Sequence, residues 1–277
     1  MQNQRISVII PTYNRAGQIA ASINSVLAQT YRDFEIVIVD DGSSDDTEAR
    51  VTALSDDRIR YHRLPKNGGA SNARNQGVKL ASCDLIAFHD SDDLWHPDKL
   101  EKQMAYWEKH PEDVLVYCAL EYRDPDSGEM VSFPFSDIPR DSLHGDIYRT
   151  LLTRNTMDTP TILMRKDIFN QAGGFDPLYP PLEDWELNLR IAKLGTVGYV
   201  DEPLITSGIT EGSLSSSTSA YYRARCRIFA DYIDDIKRLG MFDQIAGDIL
   251  RHAEKDGVLE SVKKMMMLQL MEKRGET

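Results

Sequence analysis

Asp84-Leu85-Ile86-Ala87-Phe88-His89-Asp90-Ser91-Asp92-Asp93 is an apolar run that stops against three carboxylates within four residues. A short apolar run with polar flanks is the pattern of a buried strand. Like charges this close disfavour one another, so they call for a cation or a helix N-terminus. Two readings follow. Mg²⁺ and Mn²⁺ take oxygen ligands and bridge carboxylates to substrate phosphates, which makes the strand end a metal site for a phosphorylated ligand. Alternatively, Asp92 or Asp93 caps a helix beginning near His96-Pro97. Capping needs one carboxylate, not three.

The same alternation of strand and polar stop recurs upstream. Ile6-Ser7-Val8-Ile9-Ile10 is β-branched and ends at Pro11-Thr12-Tyr13-Asn14. Phe34 to Val39 is a second strand, cut by Asp40-Asp41-Gly42-Ser43, and Arg58 to His62 a third. Between them, Ile19, Ile23, Val26 and Leu27 recur at helical spacing, and Ser44 to Leu54 reads as a polar helix. Asn67-Gly68-Gly69 opens a helix through Ala73 and Val78; Pro97 to His110 is another, before a fifth strand at Leu115 to Ala119. Strands alternating with helices predict βαβ units and a mostly parallel sheet. Ligands of such sheets bind outside the carboxyl ends of the strands. The polar clusters at 11–14, 40–43 and 90–93 all sit at such ends, so one rim should hold all three.

The second half is less regular. Residues 121–145 suit a hairpin excursion, Thr161 to Met164 a strand running into a short helix that ends at Ala172, and Glu183 to Leu194 a helix. Ser213 to Ser219 is a Ser/Thr-rich loop or boundary, and Ala220 to Glu272 reads as helices only. In the last of these, Val258, Val262, Met266 and Leu270 share a face, with Lys263, Lys264, Lys273 and Arg274 nearby. Such a face lies on an anionic membrane surface, or packs on the rest of the chain or on a second subunit.

Composition excludes several classes. The 277 residues carry 44 acids against 32 bases, a net charge of −12, which argues against nucleic acid as a partner. No apolar run approaches the roughly 20 residues that span a bilayer. The N-terminus runs straight into a strand without a signal peptide, and Cys83, Cys118 and Cys226 lack metal-type spacing. A cytoplasmic protein, with a peripheral seat at the inner face of a membrane as an option, is the expectation.

Assembled in order, these blocks resemble the inverting, nucleotide-diphospho-sugar-dependent glycosyltransferases of family 2, over residues 5 to 215. The matching pieces are Val8 to Asn14, Ser25 to Thr30, Glu35 to Asp45, Asn67 to Asn75, Asp90 to Asp93, and Glu183-Asp184. The resemblance implies an α/β fold: one GT-A-type, Rossmann-like domain with a mostly parallel central sheet, and a C-terminal helical extension. It divides the chain at 1–215 and 216–277, with a nucleotide-binding half to about 115 and an acceptor half at 116–215. By position, it implies that Pro11, Thr12 and Tyr13 line the nucleotide pocket and that Asp41, with Asp40, accepts a hydrogen bond from the base. Arg74 approaches the base or diphosphate, beside Gly69. Asp90, with Ser91, lies near the ribose or sugar. Asp92 binds Mn²⁺ or Mg²⁺ with Asp93 in support, and Asp184 is the general base. The implied donor is a nucleotide-sugar, most simply a UDP-sugar. The implied acceptor is a saccharide or lipid-linked glycan, with cell-surface polysaccharide synthesis as the setting.

Taken singly, each block has a plainer reading. Asp40 to Ser43 is a turn with a cap, Asn67 to Gly69 a turn needing positive φ, and Glu183-Asp184 an acidic first turn of a helix. Trp185 walls an acceptor pocket or fills core. Relatives carry an Arg-x-His element before Ser-x-Ser whose His joins the metal; here Thr210 stands at that His, with Glu211 next to it. The Gln-x-x-Arg-Trp element of processive members is absent, which points to single-sugar transfer. Two other classes stay open: a nucleotide-sugar-binding module without turnover, and a sugar-phosphate nucleotidyltransferase. Against the second, Pro11-Thr12-Tyr13-Asn14 stands where a Gly-rich phosphate loop would. An aspartyl-phosphate phosphotransferase would need an Asp-x-Asp after the first strand, which is missing.

Overall fold

The computed structural model describes residues 4–123, 129–132, 138–207 and 217–275. Strands β1 (Ile6–Thr12) and β2 (Phe34–Asp40) are buried along their whole length. This is why they read as continuous apolar runs rather than alternating ones. With β3 (Ile59–Arg63) and β4 (Leu85–Phe88) they form a parallel block in the order β3-β2-β1-β4. Helices α1 (Ile19–Leu27), α2 (Thr47–Thr52) and α3 (Ala70–Leu80) make the connections. α3 lies tightly on the sheet at Gly77, where an added Cβ would sit 2.4 Å from Ile9 Cγ2.

The block continues through β8 (Leu163–Arg165), β6 (Leu115–Arg123), β9 (Val197–Ser207) and the short β5 (Leu94–Trp95). β8 is antiparallel to both β4 and β6, and β6 pairs with β9 in parallel. Strands β1, β2, β3, β4, β6 and β9 therefore point one way, so the expected mostly parallel sheet is present with an antiparallel strand let into its middle. β7 (Met130–Ser132) pairs antiparallel with the end of β6, as a hairpin excursion requires. β9 was not expected. Gly198, Asp201, Glu202 and Pro203 break its apolar pattern, and its register against β6 shifts twice.

The remaining helices are α4 (Lys99–Lys109), α5 (Tyr148–Thr153), α6 (Lys166–Ala172), α7 (Glu183–Ile191), α8 (Thr218–Asp231), α9 (Ile233–Arg238), α10 (Phe242–Lys255) and α11 (Leu259–Arg274). One apolar core joins Phe88, Tyr117 and Trp185 to Tyr222, Phe229, Ile245 and Val262. The face offered by Val258, Val262, Met266 and Leu270 is spent inside this core: Val262 and Met266 are buried and the other two pack against them. It is therefore not the surface that meets a membrane or a second subunit. Polar ties, one of them buried, add to the join. Tyr232 Oη donates to Glu186 at 3.1 Å, Tyr179 Oη to Asp231 at 2.5 Å, and Lys193 Nζ to Asp235 at 2.6 Å. No described helix is long and apolar enough to cross a membrane.

Candidate active site

The carboxyl ends of β1, β2 and β4 do meet at one rim. Thr12 pairs with Asp40 in the β1–β2 register, and Asp41 N donates to Thr12 O at 2.8 Å. The turn after β1 is stitched to the turn after β2. Asn14, at φ 51°, donates its N–H to Ser43 Oγ and accepts from Ser44 N with Oδ1, both at 2.8 Å. Arg15 reaches from the same turn to Asp92, Nη2 to Oδ2 at 3.2 Å. Tyr13 is left 46% exposed, as a ring available for stacking.

The paired aspartates after β2 have different work. Asp40 is fully buried and braces the rim: it accepts from Ser43 N at 2.7 Å and from Tyr61 Oη. Asp41 accepts from Gly68 N at 2.8 Å and Gly69 N at 2.7 Å, which holds the approach to α3. Gly69 stands at φ +87°, a conformation that costs glycine little and other residues more.

The acidic run after β4 resolves its repulsion by sending each carboxylate to a different partner. Asp90 Oδ1 accepts from Arg74 Nη2 at 2.8 Å, Asp92 pairs with Arg15, and Asp93 Oδ1 accepts from Ser207 Oγ at 3.0 Å. Ser91 and Asp93 are buried. Among the described residues no three His, Cys, Asp or Glu side chains are grouped to hold a metal. The donor set still fits a divalent cation that arrives with a diphosphate, because Mg²⁺-type ions are held by one or two carboxylates plus substrate phosphates and water. Asp92 is on the wall of the cleft with Asp90 and Asp93. His89 is not on that wall: burial pulls its pKa down to about 3, its Nε2 lies 2.9 Å from Ser22 Oγ, and its ring packs on Trp95. The stretch Gly208 to Ser215, with Thr210 and Glu211, lies outside the described residues.

Arg74 links the two halves of the site. Its guanidinium is buried, lies over the Phe175 ring, and pairs with Asp90 and, at 3.1 Å, with Glu183 Oε1. Burial alone would lower its pKa; the charges of Asp90, Glu183 and Asp184 more than offset that and raise it. The pairing brings the start of α7 to the rim. There Asp184 accepts from Asn155 Nδ2 at 3.1 Å and from Trp185 N at 2.6 Å. Burial, and then the charges of Asp158 and Glu183, hold the Asp184 carboxyl well above the usual carboxylate range.

A cleft of about 1590 Å³ runs past these groups. Arg74, Asp90, Asp92, Asp93 and Asp184 line it, whereas Pro11, Thr12, Tyr13, Asp40, Asp41, Gly69 and Ser91 do not. Of the nucleotide residues named from the sequence, Arg74 and Asp90 are thus on the cleft wall, and the other seven are not. Two residues of the wall were missed by sequence reasoning. Asn155 orients Asp184 and is itself held by Asn188 Nδ2 at 3.1 Å. Asp158 presents a carboxyl whose pKa is pushed up to about 6 by burial and by Asp90. Nothing in Asn155-Thr156-Met157-Asp158 marks either residue, since the acceptor half has no periodic pattern there.

Comparison with known proteins identifies the family. The family model for glycosyl transferase family 2 matches residues 7–172. The chain is 30% identical to a UDP-Glc:alpha-D-GlcNAc-diphosphoundecaprenol beta-1,3-glucosyltransferase (WfgD) of Escherichia coli, over 85% of this chain and 89% of that one. It is 33% identical to an uncharacterized glycosyltransferase of Rickettsia conorii over 73% of its length, but spans only 33% of that protein. Among solved structures it resembles S. aureus TarS 1-349 in complex with UDP-GlcNAc (TM-score 0.66, 18% identity, 98% of this chain and 92% of that one). It also resembles the mannosyltransferase PcManGT from Pyrobaculum calidifontis in complex with GDP-Man and Mn²⁺ (TM-score 0.64, 17% identity, 95% and 74%). At such identities the structural likeness establishes the fold, and the match over 7–172 establishes the lineage: the chain belongs to glycosyl transferase family 2 and is a glycosyltransferase.

Proposed function

We propose that this glycosyltransferase moves one sugar, with inversion, from a UDP-sugar to a lipid-linked glycan, using Asp184 as general base and Asp92 as the carboxylate for Mn²⁺ or Mg²⁺. The observation that carries the reading is Asp184 itself. It lines the same cleft as Asp90 and Asp92, with a carboxyl made more basic by its surroundings. Inversion needs a base that takes the acceptor hydroxyl proton on the face opposite the leaving group. Asn155 and the Trp185 N–H each donate to one oxygen of Asp184 and so orient it for that transfer. Asp92, supported by Asp93, would hold the divalent cation, whose Lewis acidity would offset charge on the leaving diphosphate. Tyr13 offers a ring to the nucleotide base, with Pro11, Thr12, Asp40 and Asp41 shaping the pocket floor. Residues 1–215 form the catalytic unit in this reading, and 216–277 a helical extension that walls the acceptor side. UDP and the lipid-linked acceptor are supported by what the Escherichia coli relative acts on, and Mn²⁺ by the ion bound to the mannosyltransferase. A lipid-linked acceptor is consistent with work at the inner face of a membrane, in cell-surface polysaccharide assembly.

The test is a turnover screen. Purified protein with Mn²⁺ or Mg²⁺ is given UDP-, GDP- and dTDP-sugars, and released nucleoside diphosphate is read. Slow release from one donor is expected, abolished by chelator and by Asp92→Asn. Asp184→Asn should cut acceptor-dependent transfer by about 10²-fold or more, the usual scale of a general base. Full transfer by Asp184→Asn would remove the assigned base. Binding of no nucleotide, with or without metal, would remove the site.

A further inference from the structure

The cleft extends beyond Asp184 into an arm walled by α5, α8 and α10. Arg225, from the middle of α8, lines this arm and is 4% exposed. Buried charges in proteins are paired with opposite charges, because an unpaired one forfeits its hydration without return. Arg225 breaks that rule: among the described residues it forms no ion pair. Nη2 donates to Leu152 O and Thr153 O, both at a long 3.3 Å, and Nη1 has no hydrogen-bond partner among the described residues. The guanidinium carbon stands 4.2 Å from the Trp185 ring centroid, directly behind the residue that follows Asp184. Burial brings the Arg225 pKa down to about 10, so the group is still cationic at neutral pH. The acid of the arm that acts on it, Asp248, is engaged by Arg251. Arg149 and Arg154 line the same arm, and Arg149 donates to the Leu239 carbonyl at 3.4 Å.

We infer that Arg225 is the buried half of an anion subsite, and that its occupant is the diphosphate of the lipid-linked acceptor. The inference rests on the acceptor class proposed above. Trp185 then stands between the base and the anion contact, as a wall for the acceptor sugar whose hydroxyl meets Asp184. Arg225 supplies a planar fork of donors suited to phosphate oxygens. The two carbonyl bonds to the end of α5 hold the guanidinium in place, and Nη1 is the donor left for the ligand.

The test is a binding measurement that needs no knowledge of the acceptor sugar. Protein saturated with UDP and Mn²⁺, so that the donor site is filled, is titrated with geranyl diphosphate, inorganic pyrophosphate and geraniol. Wild type should bind both anions and bind geraniol at least tenfold more weakly. Arg225→Gln should weaken the anions at least tenfold and leave geraniol unchanged, while Arg225→Lys should recover part of the loss. UDP affinity of each variant reports whether the fold is kept. Geranyl diphosphate well above pyrophosphate identifies the lipid-linked source, and equal binding of the two identifies the anion alone as the recognised group. Anion affinity equal in wild type and Arg225→Gln overturns the inference. Failure of UDP to bind wild type strikes the donor site instead, and so separates the two readings.

Discussion

Replacing Arg74 by Met removes the cation that joins β4's acidic end to the start of α7, while keeping a side chain long enough to cover Phe175. Two carboxylates lose their partner at once. Glu183 is the costlier, because its side chain is 11% exposed and its Oε2 already lacks a hydrogen bond. Asp90 is 28% exposed, so water replaces much of what it loses. Removing one partner of a buried pair costs about 3–5 kcal/mol, and the partial exposure of Asp90 favours the lower end. The contact with Phe175 adds less than about 1 kcal/mol. A destabilisation of about 3 kcal/mol is expected, read as a drop of about 1 M or more in the urea midpoint at an m-value of about 3 kcal/mol/M. Glu183→Gln in the Arg74→Met background should recover part of it, because the stranded charge is gone; the double-mutant cycle measures the coupling. A loss under about 1 kcal/mol, or no coupling between the two positions, would refute the view that this buried pair fastens the halves of the site.

Two further outcomes concern pH. Glu35 is buried and accepts from Ser7 Oγ, Ser82 N, Ser82 Oγ and Arg60; burial pushes its pKa up, but these bonds win and hold it at about 2. Its stabilisation is present above its ordinary value of 4.5 and drains away as pH falls through about 2. Glu35→Gln should therefore melt below wild type at pH 7, with the gap closing between those two values; a gap independent of pH would contradict the assignment. Asp158 has the opposite sign. Its carboxyl, raised by burial and then by Asp90, favours the folded state below 3.8, and that benefit is lost as pH rises through about 6. Asp158→Asn should melt above wild type at pH 7 and lose the advantage near pH 4. Because Asp158 also raises the Asp184 pKa, the acid limb of kcat/KM should move to lower pH in this variant. An unmoved limb would separate Asp158 from the base.

The nucleotide half was legible because its signals are local. Strands buried on both faces must be apolar throughout, and the polar stops at Asn14, Asp40-Asp41 and Asp90 to Asp93 follow them without interruption. The acceptor half gave weaker signals. β9 carries Gly198 and Pro203 and exists as a strand because β6 offers it an edge. Asp158 and Asn155 sit in irregular chain whose position depends on Asn188 and on the packing of α7.

The order of strands and helices in the nucleotide half, the mostly parallel sheet, the rim on which the acidic clusters fall and the family itself were legible in the sequence alone, since periodicity and motif spacing are properties of neighbouring residues. Tertiary structure decided what each charged group does. It turned Asp40 into a brace, gave Asp92 to Arg15 and Asp90 to Arg74, folded the apolar face of α11 into the common core, and left Arg225 buried without an ion pair among the described residues. The physical reason is that a carboxylate or guanidinium takes its role from the charge and water around it, and those neighbours come from distant parts of the chain.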